Sequence, residues 1–100
     1  MLLANHLHEI DDLCRKHGVK KLELFGSAAR TDFQESESDC DFFVEFVSYD
    51  TPTIADQWFG LHEDLERLLG RKVHLVSRRA VKNPYFLEAA NRHAVTLYAS

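Results

Sequence analysis

Residues 39–47, Asp-Cys-Asp-Phe-Phe-Val-Glu-Phe-Val, join a pair of aspartates to a run of aromatic and β-branched residues. Such a run favours a central β-strand over a helix, and we predict a strand over 40–47. Because successive side chains on a strand point to opposite faces, Asp39 and Asp41 lie on one face and Phe42 on the other. The stretch therefore predicts a buried strand that begins with two carboxylates on the same side.

A second strand precedes this run and ends at a glycine. Residues 19–25 alternate apolar with charged side chains, which is typical of a half-buried strand, and Gly26 and Ser27 follow. If the two strands are antiparallel neighbours, the end of the first and the start of the second lie at the same edge of the sheet. This arrangement brings Gly26 and Ser27 close to Asp39 and Asp41.

The residues at this edge have the chemistry of a phosphate and metal site. Neighbouring carboxylates repel each other unless a cation lies between them. Hard oxygen ligands suit Mg²⁺, which usually keeps several water ligands and is also coordinated by substrate phosphates. Gly26 allows backbone N–H groups to approach phosphate oxygens, and the Ser27 hydroxyl supplies a further hydrogen bond. The sequence therefore predicts a site for a nucleoside triphosphate with magnesium.

The periodicity of the remaining residues predicts five more elements. They are helices over 2–17, 53–69 and 84–92, and strands over 72–76 and 95–98. The chain, residues 1–100, is therefore predicted to be one α+β domain of two layers, with a small mixed sheet and helices packed on one side.

Composition and charge exclude several classes of function. The formal net charge of −4 gives no basic field for direct nucleic acid binding. Cys14 and Cys40 lack the spacing of a metal site or a disulfide framework, and we interpret them as reduced, buried thiols. The N-terminus lacks the apolar run of a signal peptide, and no stretch approaches the roughly 20 apolar residues of a membrane span. These features predict a cytoplasmic protein without membrane association.

The order Gly26-Ser27, spacer, Asp39-x-Asp41 resembles the signature of the nucleotidyltransferase superfamily in its minimal form, the MNT domain. The resemblance covers nearly the whole chain, including the leading helix, Gly-Arg-Lys-Val-His-Leu-Val-Ser-Arg at 70–78 and the closing segment at 83–99. It implies the nucleotidyltransferase fold. It also implies transfer of a nucleoside monophosphate from NTP–Mg²⁺ to an acceptor hydroxyl, with release of pyrophosphate.

The resemblance assigns roles to individual positions. It implies that Gly26 and Ser27 hold the β- and γ-phosphates of ATP or another NTP, with Arg30 as a further phosphate contact. Asp39 and Asp41 are the implied catalytic carboxylates, which coordinate one or two Mg²⁺ ions beside the α-phosphate.

One position departs from the family pattern, because His74 stands where members of the family usually have a third carboxylate. Neutral imidazole is a poor ligand for Mg²⁺, so nucleotide binding is expected to survive while transfer is slowed or lost. Histidine also acts as a general base near neutral pH, which makes His74 a candidate catalytic residue that takes the proton from the acceptor. The third interpretation is that His74 is an exposed strand residue without a role.

Within MNT proteins, the resemblance points to the MntA-type antitoxins of HEPN/MNT toxin–antitoxin pairs. It implies adenylylation of a tyrosine on a HEPN-family toxin, in a homo- or hetero-oligomer. The length of 100 residues fits this interpretation, since it leaves no second domain to recognise tRNA, an antibiotic or a primer strand. Two alternatives remain: a catalytically impaired module that neutralises a toxin by complex formation, and a stand-alone transferase that acts on a small molecule.

Overall fold

The computed structural model describes residues 5–26, 39–50, 52–92 and 94–100. Within these ranges the chain forms, in order, α1 (Leu7–Lys16), β1 (Val19–Phe25), β2 (Cys40–Phe46), α2 (Ile54–Leu69), β3 (Val73–Ser77), α3 (Pro84–Asn91) and β4 (Val95–Ala99). The predicted type and order of these elements are confirmed. The first helix starts later than predicted, at Leu7, and the earliest residues of that prediction lie outside the described ranges.

The four strands form one mixed sheet in the order β3-β2-β1-β4. Strand β1 is antiparallel to both β2 and β4, whereas β2 and β3 are parallel. Asp41 is paired with Phe25 on β1 and with His74 on β3. The predicted antiparallel pairing of β1 with β2 is therefore confirmed, and it brings the end of β1 to the start of β2.

The main core lies between one face of the sheet and helices α1 and α2. Alternation along the strands supplies one apolar side chain at every second position, and the two amphipathic helices cover that face. Burial of each large side chain contributes about 1.5–3 kcal/mol relative to its exposure. The fully buried members include Ile10, Cys14, Leu22, Leu24, Phe42, Val44, Leu61 and Leu65.

A smaller aromatic cluster lies on the opposite face of the sheet. The rings of Phe25 and Phe43 stack with 4.0 Å between their centroids. Phe86 on α3 meets both rings edge-on, at 6.0 and 6.1 Å. The prediction of helices on one side thus holds for α1 and α2, whereas α3 contacts the other face, because the two strand aromatics there need cover from water.

The prediction of reduced, buried thiols is confirmed. Cys14 and Cys40 are free and buried, and burial raises the pKa of the Cys14 thiol to about 12. The pKa of Cys40 is also raised, mainly by burial. None of the helices in the described part of the chain is long and apolar enough to cross a membrane.

Candidate active site

Three strands meet at the edge of the sheet where β1 ends and β2 begins. Residues paired across a sheet project from the same face, so Phe25, Asp41 and His74 share one face, opposite the main core. Gly26 follows Phe25 directly and lies beside Asp41. The structure therefore brings together candidate residues that are up to 48 positions apart in the sequence.

Gly26 and Asp41 are in close contact. The backbone of Gly26 has φ +74°, in the left-handed region that side chains other than glycine rarely adopt. A Cβ atom at this position would lie 2.5 Å from Oδ2 of Asp41. Both the conformation and the lack of space require glycine, and the contact confirms the predicted meeting of the glycine turn with the second aspartate.

His74 and Asp39 form a hydrogen-bonded pair at the surface. Nε2 of His74 lies 3.0 Å from Oδ2 of Asp39, and the two side chains are 46% and 49% exposed. Because an ionised carboxylate only accepts hydrogen bonds, Nε2 is the donor, and Nδ1 of the neutral ring keeps a lone pair. A carboxylate thus fixes the orientation of an imidazole that can accept a proton.

The electrostatics of the site favour a cation. Partial burial raises the pKa of Asp41, the charge of Asp39 raises it further, and His74 opposes these effects. A raised pKa means that the fold disfavours the ionised carboxylate. A positive charge placed beside Asp39 and Asp41 would relieve that cost.

The two carboxylates suit Mg²⁺ better than they suit a metal ion that is held by protein ligands alone. In the part of the chain that the structure describes, no three His, Cys, Asp or Glu side chains form a group that could hold a metal ion. Mg²⁺ is commonly bound by one or two carboxylates together with substrate phosphates and waters, whereas structural zinc needs four protein ligands. Asp39 and Asp41 fit the first description.

The remaining sequence-based candidates cannot be placed in this way. Ser27 and Arg30 lie outside the described residues. Their predicted contacts with phosphate oxygens stay predictions.

An ion pair on the same face was not identified from the sequence. Glu23 is only 7% exposed, and its Oε1 accepts a hydrogen bond from Nη1 of Arg78 at 3.0 Å. The guanidinium also lies over the ring of Phe43, 5.1 Å from its centroid, and Nη2 donates to Oδ1 of Asn91. The alternation along β1 indicates only that Glu23 points away from the main core. It does not identify Arg78 as the partner of Glu23, because Arg78 lies 55 positions away in the sequence.

The fold and this site define a class of enzyme. The sequence profile of the family described as "Nucleotidyltransferase domain" matches residues 10–97. The chain belongs to this family and is a nucleotidyltransferase of the minimal type.

Two relatives are named as protein adenylyltransferases. A Methanocaldococcus jannaschii protein named for protein adenylyltransferase activity is 44% identical, over 79% of this chain and 85% of its own length. The protein adenylyltransferase MntA of Thermococcus cleftensis is 35% identical, over 82% of this chain and 76% of its own length.

Solved structures show the same fold. A structure described as a minimal nucleotidyltransferase has a TM-score of 0.73 and 32% identity, covering 93% of this chain and 90% of that chain. The solved complex between a tri-AMPylated HEPN toxin of Shewanella oneidensis and an MNT antitoxin contains a chain with a TM-score of 0.65 and 20% identity. That match covers 100% of this chain and 74% of the other, and it supports the fold alone.

Proposed function

We propose that this protein is an antitoxin that transfers AMP from ATP to a tyrosine hydroxyl of a HEPN-type partner protein. The observation that carries the proposal is the convergence of Gly26, Asp39, Asp41 and His74 at one edge of the sheet. The relatives named as protein adenylyltransferases support the reaction. The solved complex of an MNT antitoxin with an AMPylated HEPN toxin suggests the kind of acceptor.

In this proposal the phosphates of ATP bind at the end of β1. Gly26 has no side chain, so a phosphate can approach its backbone closely, and Ser27 and Arg30 are proposed as further phosphate contacts. Asp39 and Asp41 would hold Mg²⁺, which supplies neutralisation of the charge that develops on the phosphates. These residues would bind and orient ATP with its α-phosphorus near the start of β2.

His74 is proposed to accept the proton of the acceptor hydroxyl. Asp39 orients the ring through Nε2, which leaves Nδ1 as the basic atom. The tyrosine oxygen forms a bond to the α-phosphorus, the bond from that phosphorus to the bridging oxygen breaks, and pyrophosphate leaves. The proton passes to His74, whose positive charge is then stabilised by the carboxylate of Asp39.

The proposal is tested by mixing the purified protein with ATP, Mg²⁺ and the HEPN-type protein encoded beside it. Intact-mass spectrometry should show AMP on the partner, and replacement of the modified tyrosine by phenylalanine should abolish the addition. An unmodified partner in the presence of a nucleotide-bound protein would reject the transferase proposal.

A second function is favoured by His74, because a histidine replaces the expected third carboxylate. In this alternative the protein binds nucleotide and neutralises its partner by complex formation alone. Asp41→Ala distinguishes the two functions: full neutralisation by the variant would show that catalysis is dispensable.

A further inference from the structure

Side chains on the active-site face of the sheet form two adjacent rows. The first row contains Phe25 and Asp41, which are paired across β1 and β2, and Gly26 follows Phe25. The second row contains Glu23 and Phe43, which are paired in the same way two residues further along each strand. Paired residues project from the same face, so all four side chains of the two rows lie together.

The two rows are in contact through their aromatic rings. The rings of Phe25 and Phe43 stack with 4.0 Å between their centroids and 17° between their planes. Both side chains are buried, and because protein interiors are close-packed, a shift of one ring displaces the other. The position of Phe43 therefore affects Phe25 and the Gly26 turn that follows it.

Arg78 contacts the second row and α3 at the same time. Its Nη1 donates to Oε1 of Glu23 on β1 at 3.0 Å, and its Nη2 donates to Oδ1 of Asn91 on α3 at 3.1 Å. Its guanidinium carbon lies 5.1 Å from the ring centroid of Phe43 on β2. Because a guanidinium is planar and presents its donors in a fixed geometry, these contacts hold Phe43 in one position relative to β1 and α3.

The strand that leads to Arg78 is held at both ends. Arg78 follows directly after β3, whose last residue, Ser77, is paired with β2. At the start of β3, Nε2 of His62 donates to the carbonyl oxygen of Val73 at 2.7 Å, and Oε2 of Glu66 accepts from the Val73 amide at 2.9 Å. The backbone that presents Arg78 is therefore fixed to both the sheet and α2.

We infer that Arg78 is a positioning residue for nucleotidyl transfer. By holding Phe43 against Phe25, it fixes the Gly26 turn, where the phosphates of ATP are proposed to bind. The inference rests on the proposed function and deepens it by naming the side chain that orders the phosphate side of the site. Arg78 acts through the two rings and does not touch the nucleotide.

Neutralising the charge of Glu23 does not by itself explain the contacts of Arg78. Nζ of Lys21 lies 3.8 Å from the same Oε1, so a cation stays near the carboxylate when Arg78 is replaced. Lys21 does not replace the contact with Phe43 or the hydrogen bond to Asn91. Loss of Arg78 should therefore change the geometry at the aromatic rings more than the balance of charge.

The test compares two neighbouring arginines. Arg78→Met removes the guanidinium and keeps a long side chain. Arg79→Met is the matched control, because Arg79 lies over the ring of Tyr49, 4.2 Å from its centroid, beyond the opposite end of β2 from Asp41. Titration calorimetry measures the Kd for ATP with Mg²⁺. Arg78→Met should raise this Kd about fivefold, as expected of a side chain that acts through its neighbours, whereas Arg79→Met should leave it unchanged.

A second measurement observes the Gly26 turn without nucleotide. The chain has four glycines, so selective ¹⁵N-glycine labelling gives few backbone amide signals, and Gly26→Ala identifies the signal of Gly26 by its loss. Arg78→Met should shift the Gly26 signal more than that of Gly70, which ends α2. Arg79→Met should leave the Gly26 signal in place.

Two further variants separate positioning from a loss of stability. Asp64→Asn removes the carboxylate that contacts His17 between α1 and α2, so it should lower the melting temperature without changing the Kd or the Gly26 signal. If Arg78→Met does not fold, Arg78→Lys gives the same test with a positive charge retained. An ammonium lacks the planar fork of the guanidinium, so this variant should still raise the Kd about threefold.

The outcomes separate this inference from the proposed function. A raised Kd together with a shifted Gly26 signal supports the inference. If Arg78→Met leaves the Gly26 signal in place, or lowers the melting temperature with an unchanged Kd, Arg78 is only structural and the inference is wrong. If the natural protein does not bind ATP with Mg²⁺, the proposed function fails and the inference fails with it.

Discussion

The imidazole of His74 lies 3.0 Å from the carboxylate of Asp39, on the strand next to the aspartate pair. The family resemblance predicts a third carboxylate at this position. An imidazole contributes little to binding Mg²⁺, but it can take a proton at neutral pH. With histidine in place of a carboxylate, we therefore expect this position to contribute to proton transfer and not to metal binding.

We predict that His74→Ala lowers kcat for AMP transfer by about 10²–10⁴, the usual contribution of a general base. The affinity for ATP should change little, because the side chain is proposed to act on the acceptor. Kinetics with saturating ATP and partner provide the measurement. His8→Ala is the control, since His8 is an exposed residue of α1; natural transfer rates in His74→Ala would contradict the assigned role.

His74→Asp distinguishes the two interpretations of this position. A rise in transfer would show that the missing carboxylate limits the natural protein. We expect a lower rate instead, because the aspartate would face Asp39 and Asp41 without offering the basic nitrogen. Single-turnover kinetics with saturating partner measure the effect on the chemical step.

Asp41→Asn should abolish Mg²⁺-dependent ATP binding without a loss of stability. Burial and the neighbouring Asp39 raise the pKa of Asp41, so its ionised form opposes folding at neutral pH, and the neutral amide removes that cost. Titration calorimetry and thermal melting measure the two effects. Asp12→Asn on the exposed surface of α1 should leave both unchanged; a marked fall in melting temperature for Asp41→Asn would contradict the electrostatic argument.

Gly26→Ala should destabilise the protein and also weaken ATP binding. Left-handed backbone costs a non-glycine residue about 1–2 kcal/mol, and here the new methyl group also meets Oδ2 of Asp41. Gly70→Ala is a matched control, because Gly70 has φ +66° with no atom within 4 Å of the added Cβ. Urea denaturation should show a larger loss of unfolding free energy for Gly26→Ala than for Gly70→Ala. Equal losses would show that the Asp41 side chain moves away from the new methyl group at no cost in free energy.

The contact between the end of α1 and helix α2 should make the free energy of unfolding depend on pH in the acid range. Oδ2 of Asp64 lies 2.7 Å from Nε2 of His17, and this hydrogen bond is the main cause of the lowered pKa of Asp64. A carboxyl group whose pKa is lower in the folded state stabilises the fold above its unfolded pKa of about 3.9 and loses that contribution as pH falls through the folded pKa.

Asp64→Asn should therefore reduce the free energy of unfolding at pH 7 and have a much smaller effect near pH 2. Urea denaturation of both proteins at the two pH values measures the difference. Glu63→Gln is the control, since Glu63 forms an exposed pair with Arg67 at 2.9 Å that contributes little. An effect of Asp64→Asn that is equal at both pH values would reject the hydrogen bond as its cause.

Local sequence pattern was sufficient for the features that belong to one element or to adjacent strands. The aspartates at 39 and 41 share a face because of strand geometry, and Gly26 meets Asp41 because two consecutive strands pair. Each of these predictions depends on a short stretch of chain.

Features formed between distant elements were not predicted. The pairing of β1 with β2 puts Phe25 and Phe43 on one face, but the sequence pattern does not show that Phe86 covers them. The burial of Glu23 depends on Arg78, which follows β3. Such contacts follow from the three-dimensional arrangement of helices, which a one-dimensional pattern does not contain.

The two hydrogen bonds that α2 makes to Val73 also affect how the protein meets other chains. Strand β3 is at the edge of the sheet, where open amide and carbonyl groups can recruit a foreign strand and start aggregation. Glu66 and His62 occupy both backbone groups of Val73. Strand addition is blocked at this position, so a protein approaching the edge there must be recognised through side chains, which favours selective pairing over indiscriminate sheet growth.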